Sequence, residues 1–151
     1  MLRYLLERNA EVNALDDKGS TPSHHASQSF WADFPEVVQL LLDRDADVNM
    51  KNDNGDTPLH CAALRRRPKV ARILLESNVE VNSLNDDGST PLHRASEGQW
   101  PWKGNLDVVR LLLDYGADVR VRNLSGKIAS EVALGPDQDQ IVQLLSQHTA
   151  E

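Results

Sequence analysis

The sequence has 151 residues, of which 40% are hydrophobic and 26% are charged, and its formal net charge is −7. These proportions predict one globular domain and exclude a disordered chain of low hydrophobicity. The acidic balance argues against a protein that binds nucleic acid backbones, since such proteins carry a basic surplus. It is compatible with partners that are themselves basic.

Cys61 is the only cysteine, so no internal disulfide bond can form, which favours a reducing compartment. Charged residues interrupt the first apolar segment at once, which argues against a secretory signal. Apolar clusters such as Leu40–Leu42 are too short to cross a membrane. We therefore expect a cytoplasmic protein, and the sequence leaves the nucleus open as a second location.

A four-residue motif recurs along the chain with a nearly constant spacing. Thr57–His60 and Thr90–His93 both read Thr-Pro-Leu-His, and Thr21–His24 is a variant with serine in the third place. The threonines are 36 and then 33 residues apart, and glycine stands two residues before each of them. A degenerate fourth copy begins at Gly126. A repeat of this length predicts a stack of similar structural units.

Each unit has the pattern of a turn followed by two helices. The hydroxyl of the motif threonine can cap a helix, and the proline after it suits the first helical position. An apolar run broken by single polar residues follows at 37–42, 70–75 and 108–113, as an amphipathic second helix requires. We expect the second helices to end at residues that tolerate left-handed backbone, namely Asn9, Asp45, Asn78 and Gly116.

This pattern resembles the ankyrin repeat, whose unit has about 33 residues and a Thr-Pro-Leu-His signature. The resemblance covers essentially the whole chain and implies an all-α solenoid of stacked helix-turn-helix units with short hairpin turns. We expect a single domain over residues 1–151. Its parts are a half repeat at 1–12, repeats at 13–48, 49–81 and 82–119, and a C-terminal cap repeat at 120–151. The last helix pair is more polar, as a terminal repeat facing water requires.

Three histidines occupy the same motif position in successive units: His24, His60 and His93. Stacking would separate them by roughly 10 Å, which is too far for shared ligation of one zinc ion. The resemblance implies a structural role, in which each histidine bonds to neighbouring backbone. The sequence shows no P-loop, dinucleotide-binding turn, nucleophile elbow or zinc spacing. We therefore expect no catalytic, cofactor-binding or metal-binding residues and no enzyme activity.

A Val-Asn pair recurs in each unit, with its asparagine at Asn13, Asn49 and Asn82. The residue type favours a backbone-bonding role in the turn. The resemblance adds a second interpretation, because asparagines at this position in similar repeats can be hydroxylated by an asparaginyl hydroxylase. A leucine eight residues before each asparagine and an acidic residue two before it fit that pattern.

The resemblance also implies where a partner binds. Ankyrin stacks usually bind another protein on their concave side, through turn tips and first helices. The partner-binding residues predicted at the tips are Leu15, Asp17, Lys18, Lys51, Asp53, Asn54, Asp56, Leu84, Asp86 and Asp87. Those predicted on the first helices include His25, Leu64, Arg65 and Arg94. We expect a monomeric, non-catalytic scaffold that binds another protein and neither a membrane nor nucleic acid.

Six aspartates of the turns should align into one acidic ledge: Asp16, Asp17, Asp53, Asp56, Asp86 and Asp87. Such a ledge would steer a basic segment of the partner and speed association. A solvated edge that aids solubility is the alternative interpretation.

Two other functions stay open at this point. The run Arg65–Arg67, with Lys69 and Arg94, raises the possibility of phosphoprotein or nucleic acid binding. The half repeat at 1–12 is compatible with a structural spacer or regulatory segment of a longer protein.

Repeats one and three carry insertions between their two helices, and these hold every Trp and Phe of the chain: Phe30, Trp31, Phe34, Trp100 and Trp102. Because repeats stack in order, Arg65–Arg67 should lie between the two aromatic loops. The rings then either shield each other and the helix ends or form a contact site, since Trp and Arg are typical interface anchors. We favour shielding, because large rings seldom stay in water as one broad patch.

Overall fold

The computed structural model describes residues 10–29, 33–97, 105–135 and 137–149. Within these ranges the regular secondary structure is helical, without strands. The helices are α1 Pro22–Ser27, α2 Pro35–Leu42, α3 Pro58–Leu64, α4 Pro68–Leu75, α5 Pro91–Glu97, α6 Leu106–Asp114, α7 Ala129–Val132 and α8 Gln138–Thr149.

The helices form consecutive pairs that stack into two rows. Within each repeat the first helix packs on the second, as α1 on α2 and α3 on α4. Between repeats, the first helices α1, α3, α5 and α7 contact one another in chain order, and α2, α4, α6 and α8 do the same. Each repeat thus contacts its neighbours in sequence, which is the arrangement of a solenoid. The exact boundaries of the predicted repeats stay a prediction.

The first helices begin as the motif predicts. In α3 the backbone N–H of His60 donates to Thr57 Oγ1 at 3.4 Å, and the backbone N–H of Thr57 donates to His60 Nδ1 at 3.1 Å. The same two bonds, at the same distances, begin α1 and α5. At α7 Glu131 stands in the histidine position, and its Oε2 accepts the N–H of Ile128 at 2.8 Å. The degenerate fourth motif therefore keeps part of the cap with a different side chain.

The second helices end at left-handed residues, as predicted for three of the four positions. Asp45 and Asn78 have φ of 60° and Gly116 has φ of 85°. After α2, the N–H of Ala46 reaches the carbonyl of Leu41 at 3.1 Å, which satisfies a helix-end carbonyl. Asn9 and most of the predicted half repeat lie outside the described residues.

A continuous apolar core runs along the stack between the two rows. Leu59 and Leu92 on the first helices and Leu74 and Leu112 on the second helices are fully buried. Ile141 and Leu145 of α8 close the core at one end, while Gln140, Gln143 and Gln147 of the same helix are exposed. The last helix pair is therefore polar on one side, as the sequence predicted for a terminal repeat.

In the described part of the chain, none of the helices is both long and apolar enough to span a bilayer. The same residues contain no group of three or more His, Cys, Asp and Glu side chains arranged to hold a metal ion.

Candidate functional site

Four hairpins of the same construction precede the first helices. Each begins at a residue whose side-chain oxygen accepts the backbone N–H groups two and four positions later, at 2.8 to 3.1 Å. These residues are Asp16, Asn52, Asn85 and Asn123. The backbone N–H of each of these four residues also donates to the carbonyl of the residue four positions later, at 3.0 Å in all four hairpins. The tips are therefore held rigidly by short polar side chains, as in other turns built on Asp and Asn.

Successive hairpins are joined to one another by backbone hydrogen bonds. The N–H of Asp53 donates to the carbonyl of Lys18 at 3.0 Å, and the N–H of Asp86 donates to the carbonyl of Asn54 at 3.0 Å. The N–H of Leu124 likewise donates to the carbonyl of Asp87 at 2.9 Å. We call the surface formed by residues 15–18, 51–54, 84–87 and 122–125 the hairpin edge.

The hairpin edge exposes apolar and acidic side chains together. Leu15 is 59% exposed and Leu84 is 45% exposed, although both are large and apolar. Asp17, Asp53 and Asp86 are exposed as well. The side chains of these three aspartates form no hydrogen bond or ion pair with any described residue. These exposed leucines and unpaired carboxylates are accessible to another molecule.

The other three aspartates of the predicted acidic ledge, Asp16, Asp56 and Asp87, form ion pairs within the chain. The ledge is therefore less negatively charged than the sequence predicted. Arg94 on α5 lies 3.1 Å from Asp87 and 3.0 Å from Glu97, and its Nε lies 3.8 Å from Asp56. Burial opposes the charge of Arg94, but these carboxylates outweigh that effect and raise the pKa of its guanidinium. Arg94 therefore links repeats two and three and neutralises part of the ledge.

A second pair occupies the first hairpin. His25 Nε2 on α1 lies 2.7 Å from Asp16 Oδ2 at the exposed surface. The backbone N–H groups of Ser20 and Lys18, followed by His25, lower the pKa of Asp16. Lys51 also has a partner on the hairpin edge, because its Nζ donates to the carbonyl of Leu84 at 2.7 Å. The unpaired carboxylates of the edge are thus Asp17, Asp53 and Asp86.

The three motif histidines tie each repeat to the next. Their Nδ1 atoms accept backbone N–H groups, so the ring proton lies on Nε2. Nε2 of His24 donates to the carbonyl of Asp56 at 2.8 Å and that of His60 to Ser89 at 3.0 Å. His93 reaches the carbonyl of Lys127 at 2.9 Å. All three rings are buried, and these bonds are the structural role that the sequence predicted.

A family model described as ankyrin repeats (3 copies) matches residues 29–123 and 77–151. The chain belongs to the ankyrin repeat family. The match and the helical architecture confirm the predicted all-α ankyrin solenoid. Ankyrin repeats generally mediate protein–protein interaction, and the family is typically non-catalytic. None of the curated proteins compared with the chain matches it.

The asparagines singled out for hydroxylation bond across the ankyrin repeats. Oδ1 of Asn13 accepts the N–H of Asp47 at 2.8 Å, and Oδ1 of Asn49 accepts the N–H of Glu80 at 2.9 Å. Oδ1 of Asn82 accepts the N–H of Asp118 at 2.8 Å. The geometry supports the backbone-bonding interpretation, and hydroxylation of these residues stays an untested prediction.

Cys61 is buried on α3 of the ankyrin stack. Burial raises the pKa of its thiol to about 12. Its thiol is therefore neutral at physiological pH, whereas a reactive cysteine needs the thiolate form.

The arginine run of repeat two is partly committed to contacts within the ankyrin stack. Arg67 donates through Nε and Nη2 to the carbonyl of Ser29 in repeat one. On the other side, Asn105 of repeat three donates through Nδ2 to the carbonyl of Ala63. Ser29 and Asn105, which flank the two insertions, thus contact the segment 63–67. The predicted place of Arg65–Arg67 between the two aromatic loops stays a prediction. Phe30, Trp31, Trp100 and Trp102 lie outside the described residues, so shielding and partner contact by these rings both stay predictions.

One contact between ankyrin repeats was not predicted. The carboxylate of Asp33 accepts the N–H of Lys69 at 2.8 Å and the N–H of Val70 at 3.0 Å, at the beginning of α4. The sequence places Asp33 in the insertion of repeat one, and it offers no spacing that relates this residue to a helix 35 positions later.

Proposed function

We propose that this ankyrin-repeat chain is a non-catalytic module that binds another protein through the hairpin edge and the first helices. The observation that carries the proposal is the exposure of Leu15 and Leu84 on an edge whose hairpins are joined to one another by backbone hydrogen bonds. Burial of such side chains stabilises a complex, and rigid loops lose little conformational entropy on binding.

The charge of the edge supports a partner with a basic segment. Asp17, Asp53 and Asp86 recur once per repeat and have no partner in the described chain, while Arg94 compensates Asp56 and Asp87 within the protein. Carboxylates that protrude from a rigid edge attract a basic segment over several ångströms and increase its association rate.

The test compares partner capture by the intact chain and by two double variants. Leu15→Ser with Leu84→Ser removes two of the three exposed leucines of the hairpin edge and leaves Leu124 in place. Leu134→Ser with Tyr115→Ser is the matched control, because both residues are exposed and apolar but lie off the edge. A partner recovered by the intact chain should bind the edge variant at least about tenfold more weakly, given the free energy of burying a leucine. It should bind the control variant unchanged.

Equal recovery by the edge variant and the intact chain would overturn the proposal. A role as a structural spacer predicts that outcome, since a spacer needs its stability and not its exposed leucines. The acidic contribution is tested separately with Asp17, Asp53 and Asp86 changed to Asn, against a control with Asp107, Asp114 and Asp139 changed to Asn. We expect slower association and weaker salt dependence in the first variant only.

Phosphate binding through Arg65–Arg67 has less support. Arg67 already donates to the carbonyl of Ser29, so two of its donors are committed within the stack. Reduced affinity of the captured partner after an Arg65→Ala change, with no effect of the edge variant, would favour this alternative.

A further inference from the structure

The last described hairpin differs from the others in what surrounds its tip. A Cβ added at Gly88 would meet Leu124 N at 3.0 Å, and one added at Gly19 would meet Asp53, because the next hairpin lies against each of these turns. A Cβ added at Gly126 would meet no atom of the described residues within 4 Å. The neighbouring Leu124 is 81% exposed, and Ser125 is exposed as well. This tip is therefore open to a large molecule.

Ser125 is also less restrained than the residues at its position in the other hairpins. The carbonyls of Lys18, Asn54 and Asp87 each accept an N–H from the next hairpin. No described residue donates to the carbonyl of Ser125, and its hydroxyl has no hydrogen-bond partner in the described chain. The fourth tip is joined to the preceding hairpin through the N–H of Leu124 alone, so displacing it breaks one backbone bond between hairpins, whereas each of the two middle tips has two.

Two arginines precede Ser125 in the sequence, at three and five residues before it. No other serine or threonine of the chain has arginine at both positions. Arg122 donates to the carbonyl of Gly126 at 2.6 Å and lies 3.5 Å from Glu131. Arg120 is exposed, and its guanidinium forms no hydrogen bond or ion pair with a described residue. The tip therefore presents a free hydroxyl together with at least one uncommitted cation.

We propose that Ser125 is a phosphorylation site for a protein kinase whose substrate cleft is acidic. Carboxylates of such a cleft pair with arginines that precede the target hydroxyl, through charge-assisted hydrogen bonds. The co-substrate is ATP with Mg²⁺. The Oγ of Ser125 forms a bond to the γ-phosphorus, the bond from that phosphorus to the oxygen shared with the β-phosphate breaks, and ADP leaves. The hydroxyl proton passes to the catalytic base of the kinase.

Phosphorylation would add a charge of about −1.5 to −2 at the fourth hairpin. The three preceding hairpins expose Asp17, Asp53 and Asp86 at the position next to their tips, whereas the fourth exposes Leu124. The phosphate would extend the acidic part of the hairpin edge by one repeat. Any effect on partner affinity rests on the proposed function, but the modification itself does not.

The experiment incubates the full chain, without any partner, with a purified arginine-directed serine kinase, Mg²⁺ and ATP. Intact mass measures incorporation, and fragmentation of the product locates the phosphate. We expect one phosphate on Ser125 and none in Ser125→Ala. Arg120→Ala should slow incorporation about tenfold, the value of one charge-assisted bond. Arg110→Ala, which removes an exposed arginine of α6, should leave the rate unchanged.

Arg122→Ala distinguishes recognition of the arginine by the kinase from restraint of the turn by the arginine, because Arg122 also donates to the carbonyl of Gly126 within the turn. Slower incorporation supports recognition by the kinase, whereas faster incorporation would show that Arg122 acts mainly as a restraint. Three results would overturn the proposal: no incorporation into the folded chain, incorporation at another residue that persists in Ser125→Ala, or an Arg120→Ala rate equal to that of the parent. Circular dichroism of each variant verifies that the fold is retained.

Discussion

Three residues other than glycine have left-handed backbone among those described: Asp45, Arg66 and Asn78, each with φ of 60°. Asp and Asn tolerate this conformation because their short side chains bond locally, whereas other L-residues lose roughly 1–2 kcal/mol in it. Arg66 lies just after α3, where the N–H of Arg67 returns to the carbonyl of Ala62 at 2.9 Å. It thus occupies a helix-end position at which glycine is favoured.

We predict that Arg66→Gly stabilises the protein by about 0.5–1 kcal/mol. The change relieves the strained backbone, and the greater freedom of glycine in the unfolded chain offsets part of the gain. Urea unfolding at neutral pH measures the difference. Asn78→Gly is the control and should gain less, because asparagine already tolerates the same φ. A less stable Arg66→Gly protein would mean that packing of the arginine outweighs the strain of its backbone.

Residue types that act within one motif were predictable from the sequence. The cap formed by Thr57 and His60 and the left-handed ends at Asp45 and Asn78 all follow from chemistry within a few residues. Arg66 was not predicted as a left-handed residue, because nothing in arginine itself favours that conformation. The pairing of Arg94 with Asp56, Asp87 and Glu97 was not predicted either, since it depends on how two repeats face each other.

At the scale of helices, α4 begins without a cap of its own. Arg67 stands at its N-terminal boundary and forms no side-chain cap, and Pro68 follows at the first helical position. The carboxylate of Asp33 supplies the missing acceptor from the preceding repeat. A helix boundary within one repeat thus depends on a side chain in another.

We predict that Asp33→Ala lowers the free energy of unfolding by about 1–2 kcal/mol, which is the usual effect of removing a helix cap. Amide hydrogen exchange should show faster exchange of Lys69 and Val70, whose N–H groups lose their acceptor. Glu76→Ala, at the other end of α4, removes an exposed carboxylate without a hydrogen bond and is the matched control. Unchanged protection of both amides in Asp33→Ala would show that solvent replaces the carboxylate without cost.

The helix pairs and their apolar faces were predictable because they follow a local period. The runs at 70–75 and 108–113 became α4 and α6, with Leu74 and Leu112 fully buried. The insertions of repeats one and three have no such period. Their contacts through Asp33, Arg67 and Asn105 join residues 36 to 42 positions apart, so only their order along the stack was predictable.

At the scale of the whole molecule, three buried histidines link four successive repeats. Burial lowers the pKa of His24, His60 and His93, and that of His60 falls to about 4. For His60, the carbonyl of Ser89 and the charge of Asp56 oppose the shift, while Arg94 and Lys51 add to it. Each ring must stay neutral to accept an N–H at Nδ1 and donate from Nε2.

We predict that the protein loses stability as the pH falls from about 6.5 to about 4. A histidine whose pKa is lower in the folded state binds more protons when the chain is unfolded. Its contribution to the free energy of unfolding is therefore complete above the unfolded pKa and is lost as the pH falls from the unfolded pKa to the folded pKa. His60 alone should account for about 2 kcal/mol between about pH 7.5 and pH 5. Urea unfolding at the two pH values measures this difference.

His60→Gln should reduce the pH dependence, because glutamine keeps an acceptor and a donor but does not titrate in this range. His25→Gln changes an exposed histidine and should leave the dependence nearly as it is. A pH dependence that persists in full in His60→Gln would assign it to other groups.

The bonds between neighbouring repeats fall into two kinds, and the difference bears on how such a chain can lengthen or shorten during evolution. The links through the motif histidines, the Val-Asn asparagines and the hairpin carbonyls recur at all three junctions between the described repeats. If one unit were deleted, His24 would face the carbonyl of Ser89, which holds the same position in its unit as the carbonyl of Asp56. The contacts of Asp33 with α4 and of Asn105 with Ala63 occur at one junction each. The links that recur at successive junctions allow units to be duplicated, whereas the contacts that occur at one junction favour a particular order of neighbouring units.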